Sequence, residues 1–287
     1  MSSTSPLDEH STPLILGNSV ATVHIDDIEI AYETVGEGIS LVFIHEAATN
    51  QRIWQRQRTF FRQRYRAITV DILGHGEAAW PPQEITIEQA ARRVEQLMER
   101  LGTGPAFVIG VSMGAAVAMR MAFEAPALIR GLGLVSPWSY ATGDLHSLIN
   151  RLFRLAEAGD MATHADLLLR YSFPISASAL HVTEMERLRS LMLEQNAWAV
   201  AYTWVACLAC DLRAEIGQIK VPALIISGLS DLFAPPYLAR GVAEGLAEVE
   251  LEIWEETGHF PFVEDPERFN RRLELFIQRC LASAGAV

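Results

Sequence analysis

A serine between two glycines stands near the middle of the chain, in the run Gly110-Val111-Ser112-Met113-Gly114. An apolar segment at 106–109 precedes this run, and a helix-forming segment at 115–120 follows it. A strand, a tight turn and a helix in that order lift a serine hydroxyl clear of a sheet, on a strained backbone above a helix N-terminus. The turn requires very small neighbours, which the two glycines provide. The pattern predicts that Ser112 is a nucleophile.

Two later residues supply the groups that a serine nucleophile needs. His259 follows the alternating segment 249–254, and histidine can take a serine proton because its ordinary pKa lies near neutrality. Asp231 follows the apolar run 223–226, and a carboxylate there can hold the imidazole tautomer and stabilise the imidazolium. Each residue also has a plainer explanation, as a helix cap, a solvated histidine or a turn-forming aspartate. Their joint occurrence in this order, each after a predicted strand, favours a catalytic triad.

The order serine, aspartate, histidine and four further segments resemble the α/β-hydrolase-fold serine hydrolases, from about Val20 to the end of the chain. A weaker likeness, in Arg52-Ile53-Trp54 and in residues 206–213, is to 3-oxoadipate enol-lactonases and small-ester hydrolases. The four segments are the strand before the oxyanion loop (Leu41-Val42-Phe43-Ile44-His45), the Asp-x-x-Gly-x-Gly turn (71–76), the strand leading to the acid (219–224) and the histidine loop (258–264).

The predicted fold is α/β, a mostly parallel eight-stranded sheet with helices on both faces and an inserted helical cap. Short, strongly apolar runs suit parallel strands that are covered on both faces. We expect a flexible N-terminal segment at 1–19, a core at 20–136 and 212–287, and a cap at 137–211, where helical periodicity replaces strands. The expected strands are an antiparallel hairpin at 21–25 and 28–33 joined by Asp26-Asp27, then 41–45, 67–72, 106–111, 132–135, 223–227 and 249–254. The expected helices include 87–101, 115–124 and one that starts near Pro266.

A cap over the nucleophile would exclude water and shape the substrate pocket. Aromatic side chains are the candidate pocket residues, although an aromatic residue in a small helical cap is more often part of its core. The candidates are Trp138, Phe153, Trp198 and Trp204 in the cap region, and Phe233 beside the predicted acid.

The resemblance also implies an oxyanion hole of two backbone N–H groups, each worth on the order of 100-fold or more in rate. Met113, which follows the nucleophile, would supply one, and Ala47, in the loop after Ile44, would supply the other, with the Glu46 N–H as the alternative second donor. Many family members have His-Gly in that loop, whereas this chain has His45-Glu46. A carboxylate there would repel an oxyanion. We therefore expect Glu46 to turn away into a local structural contact, and we keep it as a pocket candidate.

Composition limits the remaining choices. The 287 residues suit one hydrolase domain with a cap, and no apolar run approaches the roughly 18 residues of a membrane span. The N-terminus has neither a basic start nor an apolar signal core, so a cytoplasmic protein is expected. A net charge of −12 argues against nucleic acid and anionic membranes as partners. Cys207 and Cys210 are interpreted as small apolar residues of a helix, and no zinc spacing is found.

The sequence therefore predicts a hydrolase that cleaves an ester, lactone or thioester of a small to medium apolar substrate through an acyl-enzyme on Ser112. The chemistry would use no metal and no cofactor. Two alternatives stay open at this point: an acyltransferase that uses the same acyl-enzyme, and a ligand receptor that retains the triad. The substrate and the oligomeric state are not determined by the sequence.

Overall fold

The computed structural model describes residues 20–25, 28–72, 74–79, 85–174 and 181–284. The predicted turn Asp26-Asp27 and the segment 1–19 lie outside these residues. Eight strands form one sheet in the order β1-β2-β4-β3-β5-β6-β7-β8, which confirms the predicted architecture. The first two pairings, β1 with β2 and β2 with β4, are antiparallel, and all the others are parallel. The strands are β1 (Ala21–Ile25), β2 (Ile28–Val35), β3 (Ser40–Ile44), β4 (Arg66–Val70), β5 (Ala106–Val111), β6 (Ile129–Val135), β7 (Ala223–Gly228) and β8 (Val249–Trp254).

Helices connect the parallel strands, as right-handed crossovers require. The predictions at 87–101, at 115–124 and from Pro266 correspond to α2, α3 and α10. The helices are α1 (Gln55–Phe61), α2 (Ile87–Arg100), α3 (Met113–Glu124), α4 (Gly143–Glu157), α5 (Met161–Ser172), α6 (Val182–Leu193), α7 (Ala197–Ala209), α8 (Pro236–Gly245), α9 (Pro261–Glu264) and α10 (Pro266–Ala284).

The central strands are apolar because both of their faces are covered. Every residue of β3, β5 and β7 is buried, a pattern that alternating, half-exposed strands do not have. The loops that follow these strands all start at the carboxyl edge of the parallel sheet. That edge is where open α/β sheets place their ligands.

Four helices, α4 to α7, separate β6 from β7, and we call residues 143–209 the helical insertion. The chain enters and leaves it at one place, because an antiparallel bridge pairs Tyr140 with Asp211. The Leu212 N–H also donates to Ser139 O at 2.8 Å. At its far side, the end of α5 contacts the core loops through the carbonyl of Tyr171, which accepts the Leu232 N–H at 3.0 Å.

The sequence analysis also made predictions about the two neighbouring cysteines and about membrane-spanning helices. Cys207 lies buried within α7 and Cys210 ends that helix, and neither thiol forms a disulfide. Within the described ranges, no helix has both the length and the apolar character needed to cross a membrane.

Candidate active site

Ser112 sits on a strained turn between β5 and α3. Its backbone has φ +53° and ψ −114°, a region that side chains other than glycine rarely adopt. A Cβ atom on Gly110 would lie 2.1 Å from Gly114 O, and one on Gly114 would lie 2.4 Å from Ile44 O. Both glycines are therefore required by backbone approach, and Gly114 lets the loop after β3 reach the start of α3. The serine itself is only 3% exposed.

Asp231 and His259 form a buried pair. The His259 Nδ1 and Asp231 Oδ2 atoms are 2.7 Å apart, and both side chains are almost completely buried. The other carboxylate oxygen, Oδ1, accepts the N–H groups of Phe233 and Ala234, each at 2.9 Å. The two backbone contacts fix the carboxylate so that Oδ2 can accept the Nδ1–H of the imidazole. Nε2 is then left as the basic nitrogen.

The end of β6 joins the serine and the histidine. The carbonyl of Val135 accepts the Ser112 N–H at 2.9 Å, and the next residue, Ser136, donates its hydroxyl to His259 O at 3.0 Å. Ser136 is fully buried and has φ +45°, so its backbone is strained as well. The sequence analysis did not identify this residue, since a left-handed serine leaves no pattern in the sequence.

The histidine backbone and ring are held from several sides. The His259 N–H donates to Ser172 O, at the end of α5, at 2.6 Å. The rings of Phe233 and Phe260 pack edge-on against the imidazole, each with a centroid distance of 4.9 Å. The imidazole therefore has little freedom to rotate away from Asp231.

The carboxylate of Glu264 stabilises the histidine loop. It accepts the N–H of Gly258 at 2.9 Å and that of Phe260 at 3.1 Å, the residues on either side of His259. Burial raises the pKa of Glu264 to about 7, and the nearby charge of Asp231 adds to the shift. This role of Glu264 was not assigned from the sequence, although the residue ends the histidine-loop segment.

Two histidines fix the loop that carries Ala47. His45 donates from Nδ1 to its neighbour's carbonyl, Glu46 O, at 2.6 Å, while its Nε2 accepts the Ile72 N–H at 2.9 Å. His75 donates from Nε2 to Ala47 O at 2.8 Å. Burial lowers the pKa of His45 to about 4, so the ring is neutral, as this pattern of one donor and one acceptor requires.

These contacts set the direction of the backbone N–H groups in the loop. In a trans peptide the N–H points away from the preceding carbonyl, so the Ala47 N–H faces away from His45. Met113 is the first residue of α3, where N–H groups lack partners within the helix. Across the described residues, no backbone hydrogen bond is donated by Met113 or Ala47 outside the helices and strands. The Met113 N–H is thus left without a backbone partner of this kind, whereas the Ala47 N–H also lies close enough to the Glu46 carboxyl group to stabilise its charge.

Glu46 is buried, with 2% of its surface exposed, and its Oε2 accepts the Ala48 N–H at 3.0 Å. The expected local contact is therefore present. A charge on the carboxyl group would interact with His259, and the orientation of Glu46 relative to the site stays a prediction. Burial raises its pKa to about 7.

The predicted aromatic residues divide into two groups. Trp138 contacts the predicted nucleophile, because its Nε1 lies 3.5 Å from Ser112 Oγ. Trp204 is buried against Phe233 at a ring distance of 5.9 Å, and Phe233 packs on His259. Trp198 is 57% exposed on the outer side of α7, so the prediction that it lines the pocket is wrong.

The error at Trp198 has a physical cause. Helix α7 is apolar on nearly all sides, so its sequence does not reveal which face packs inward. Phe153 is half-buried and packs against the core from α4.

The buried Trp204 has a polar partner that the sequence did not indicate. Its Nε1–H donates to His164 Nε2, in α5, at 2.8 Å. Burial lowers the pKa of His164 to about 4, so this ring is neutral and carries its proton on Nδ1.

A sequence profile of the alpha/beta hydrolase family matches residues 41–272. The chain therefore belongs to the alpha/beta hydrolase family, and it is a hydrolase. It is 28% identical to the pimeloyl-[acyl-carrier protein] methyl ester esterase of Nitrosomonas europaea, over 87% of this chain and 97% of the relative. It is 26% identical to 3-oxoadipate enol-lactonase 2 of Acinetobacter baylyi, over 90% and 96% of the two chains. The resemblance to enol-lactonases and small-ester hydrolases is thus confirmed.

Solved structures agree on the fold. The enol-lactonase from Burkholderia xenovorans superposes with a TM-score of 0.84, covering 90% of this chain and all of that one, at 24% identity. An esterase from Thermogutta terrifontis gives a TM-score of 0.82 at 23% identity, over 91% and 97% of the two chains.

Proposed function

We propose that this protein hydrolyses a carboxylic ester, lactone or thioester of a small to medium, largely apolar substrate through an acyl-enzyme on Ser112. The observation that carries the proposal is the buried pair of Asp231 and His259, with 2.7 Å between Oδ2 and Nδ1. A histidine held in this way presents Nε2 as a general base. The names of the two sequence relatives, an esterase and an enol-lactonase, support the same class of reaction.

In the first half-reaction, Ser112 Oγ attacks the carbonyl carbon while His259 Nε2 takes the hydroxyl proton. The tetrahedral intermediate collapses, the bond to the leaving group breaks, and the imidazolium returns the proton to the departing alcohol, enol or thiol. In the second half, His259 takes a proton from water, and the resulting attack releases the acid and restores the serine. Asp231 keeps its charge throughout and stabilises the imidazolium.

The negative oxygen of each tetrahedral intermediate would be bound by the N–H groups of Met113 and Ala47. These donors are fixed before the substrate arrives, because α3 orients one and the two histidine contacts orient the other. Donors that need no reorganisation stabilise the transition state more than water does.

The substrate class rests on the surroundings of Ser112. The indole of Trp138 and the ring of Phe233 lie beside the triad, and Ser112 and His259 are 3% and 1% exposed. We propose that the helical insertion acts as a cap that encloses the bound substrate. An enclosed, aromatic site favours a compact apolar acyl or alcohol group.

Turnover of p-nitrophenyl esters, phenyl lactones and thioesters of graded acyl length would test the proposal, with Ser112→Ala as the matched control. A fluorophosphonate probe should label the wild type at Ser112 and should not label the variant. Product analysis with an added alcohol would separate hydrolysis from acyl transfer, since transfer yields a new ester in place of the free acid. Labelling at another residue, or unchanged turnover in the variant, would remove Ser112 from the mechanism.

A further inference from the structure

Glu46 carries a buried oxygen that the protein does not pair. Oε2 accepts the Ala48 N–H, whereas Oε1 is inaccessible to solvent and makes no hydrogen bond with the described residues. Most buried side-chain polar atoms in proteins have a partner, so an unpaired oxygen on the loop beside Ser112 calls for an explanation. The Thr49 hydroxyl, which interacts with the same carboxyl group, is also buried and unpaired. One partner that the free protein would lack is an oxygen of a substrate bound at Ser112.

The groups around the carboxyl group belong to its own loop, to the histidine loop and to the helical insertion. The N–H groups of Ala47 and Ala48 and the hydroxyl of Thr49 are close enough to stabilise a charge on Glu46, and so is His259. From the helical insertion, Cys207 on α7 is also within electrostatic reach. The Glu46 carboxyl group therefore interacts with the loop of the proposed oxyanion donor Ala47, with His259 and with the insertion.

Glu46 has no cationic partner that would keep it ionised. The structure shows no lysine or arginine ion pair to this carboxyl group among the described residues, and the neighbouring ring of His45 is neutral. Desolvation then dominates, and the pKa near 7 means that both protonation states are populated at neutral pH. In the protonated form the hydroxyl belongs to Oε1, because Oε2 is already occupied as the acceptor of the Ala48 N–H.

We propose that Glu46 is a further catalytic residue, whose carboxylic acid form donates a hydrogen bond from Oε1 to the substrate oxygen that becomes the oxyanion, and whose carboxylate form suppresses turnover. The inference rests on the proposed ester hydrolysis at Ser112. A protonated carboxylic acid is a known oxyanion donor in an apolar enzyme site, as in ketosteroid isomerase. Loss of one such donor costs on the order of 100- to 1,000-fold in kcat.

The ionised form acts against catalysis in two ways. Its negative charge repels the developing oxyanion, and it no longer has a proton to donate to that oxygen. Turnover should therefore fall as the pH rises through about 7. Three other titratable groups interact with Glu46 or His259 and contribute to the same electrostatics. They are Asp231, which pairs with His259, Glu264, which accepts N–H groups of the histidine loop, and Cys207 on α7.

The decisive experiment compares kcat against pH, from 5.5 to 9, on p-nitrophenyl acetate for the wild type, Glu46→Gln and Glu46→Leu. In Glu46→Gln the amide oxygen can accept the Ala48 N–H, which directs the amide N–H group along the path of the acid hydroxyl. We expect this variant to stay within a few-fold of the wild-type maximum and to lose the decline above pH 7. Glu46→Leu should be about 100-fold slower at the wild-type optimum and equally flat.

Two matched variants identify the titrating group. Burial also raises the pKa of Glu95 to about 7, but the charges around it are those of Glu124, at the end of α3, and of Arg92 and Glu99, on α2. Glu95→Gln should therefore keep the wild-type profile. If the decline disappears in Glu264→Gln and persists in Glu46→Gln, the titrating group is Glu264 and the proposal is wrong.

Binding of a trifluoromethyl ketone, whose adduct with the serine is an oxyanion, gives a second readout that a structural role would not move. Its affinity for the wild type should weaken at least tenfold between pH 6 and pH 9, and its affinity for Glu46→Gln should not. Equal profiles for the wild type and Glu46→Gln, with Ser112 labelled by a fluorophosphonate, would overturn the role of Glu46 alone. Absence of labelling at Ser112 would instead overturn the proposed function. If Glu46→Leu has a lower melting temperature than the wild type, the comparison of the wild type with Glu46→Gln still tests the proposal.

Discussion

Replacing Asp231 by asparagine should almost abolish turnover, although the substitution changes little in shape. The reason lies in the two oxygens of the carboxylate. Oδ1 accepts two backbone N–H groups, from Phe233 and Ala234, and Oδ2 faces His259 Nδ1. In Asp231→Asn the amide oxygen must take the Oδ1 position, because the reverse orientation would break two buried hydrogen bonds at about 1–3 kcal/mol each.

The amide NH₂ group is then directed at Nδ1. Because the NH₂ group is a donor, Nδ1 must act as the acceptor, and the ring proton therefore moves to Nε2. Nε2 is then a donor and can no longer take the proton of Ser112. Other serine hydrolases with this change lose on the order of 10⁴-fold in kcat. That loss corresponds to roughly 5 kcal/mol of transition-state stabilisation.

The assay is steady-state turnover of a p-nitrophenyl ester, with thermal denaturation as the check on folding. We expect a melting temperature close to that of the wild type, since both backbone contacts of Oδ1 are kept. Asp211→Asn is the matched control, because Asp211 is half-exposed and paired with Arg213, away from the imidazole. A kcat of Asp231→Asn within tenfold of the wild type would refute the assignment of Asp231 as the residue that sets the tautomer.

Three further outcomes are expected. Ser112→Gly should be more stable to urea than Ser112→Ala by about 1–2 kcal/mol, because only glycine adopts φ +53° without strain; the reverse order would refute strain at this turn. Ser136→Ala should lower the free energy of unfolding by about 1–3 kcal/mol and slow turnover several-fold, since it leaves the buried His259 carbonyl without its hydroxyl donor; unchanged values for both would show that this contact does not hold the histidine. The pKa of His164 is lowered to about 4, so its neutral form stabilises the fold fully above pH 6.5, and this contribution is lost as the pH falls toward 4. The stability advantage of the wild type over His164→Gln should therefore shrink by about 3 kcal/mol over that range in urea denaturation, and a constant difference would contradict the burial argument.

The sheet could be predicted from the sequence because parallel strands covered on both faces leave apolar runs, as at 41–45 and 223–227. The turn at Ser112 could be predicted as well, since close backbone approach excludes any residue larger than glycine at positions 110 and 114. Both features depend on residues that are adjacent in the chain. Local patterns are sufficient in such cases.

Contacts between distant segments left no such signal. His75 donates to the carbonyl of Ala47, and Ser136 to that of His259, across separations that no periodicity reports. The direction of a side chain in a loop is likewise set by the surrounding fold, so the sequence alone did not determine which groups surround the Glu46 carboxyl group. For Trp198, the uniform apolarity of α7 removed the information about which face is buried.

The end of α5 limits how the site can open. The carbonyls of Tyr171 and Ser172 bind the loop of the acid and the loop of the base, through the N–H groups of Leu232 and His259. Moving the end of α5 away from the core would break both hydrogen bonds and disturb the loops of Asp231 and His259 together. A motion that admits substrate without displacing the proposed base must therefore leave the end of α5 in place.

The side of α6 is held less firmly. Ion pairs connect it to the core, Arg52 with Glu194 and Arg56 with Glu184, and at least one partner in each is about half-exposed. Exposed pairs of this kind contribute about 1 kcal/mol or less. Of these two regions of contact with the core, the ion pairs at α6 are therefore the less costly to break, and the hydrogen bonds at the end of α5 are the ones that hold the loops of Asp231 and His259 in place.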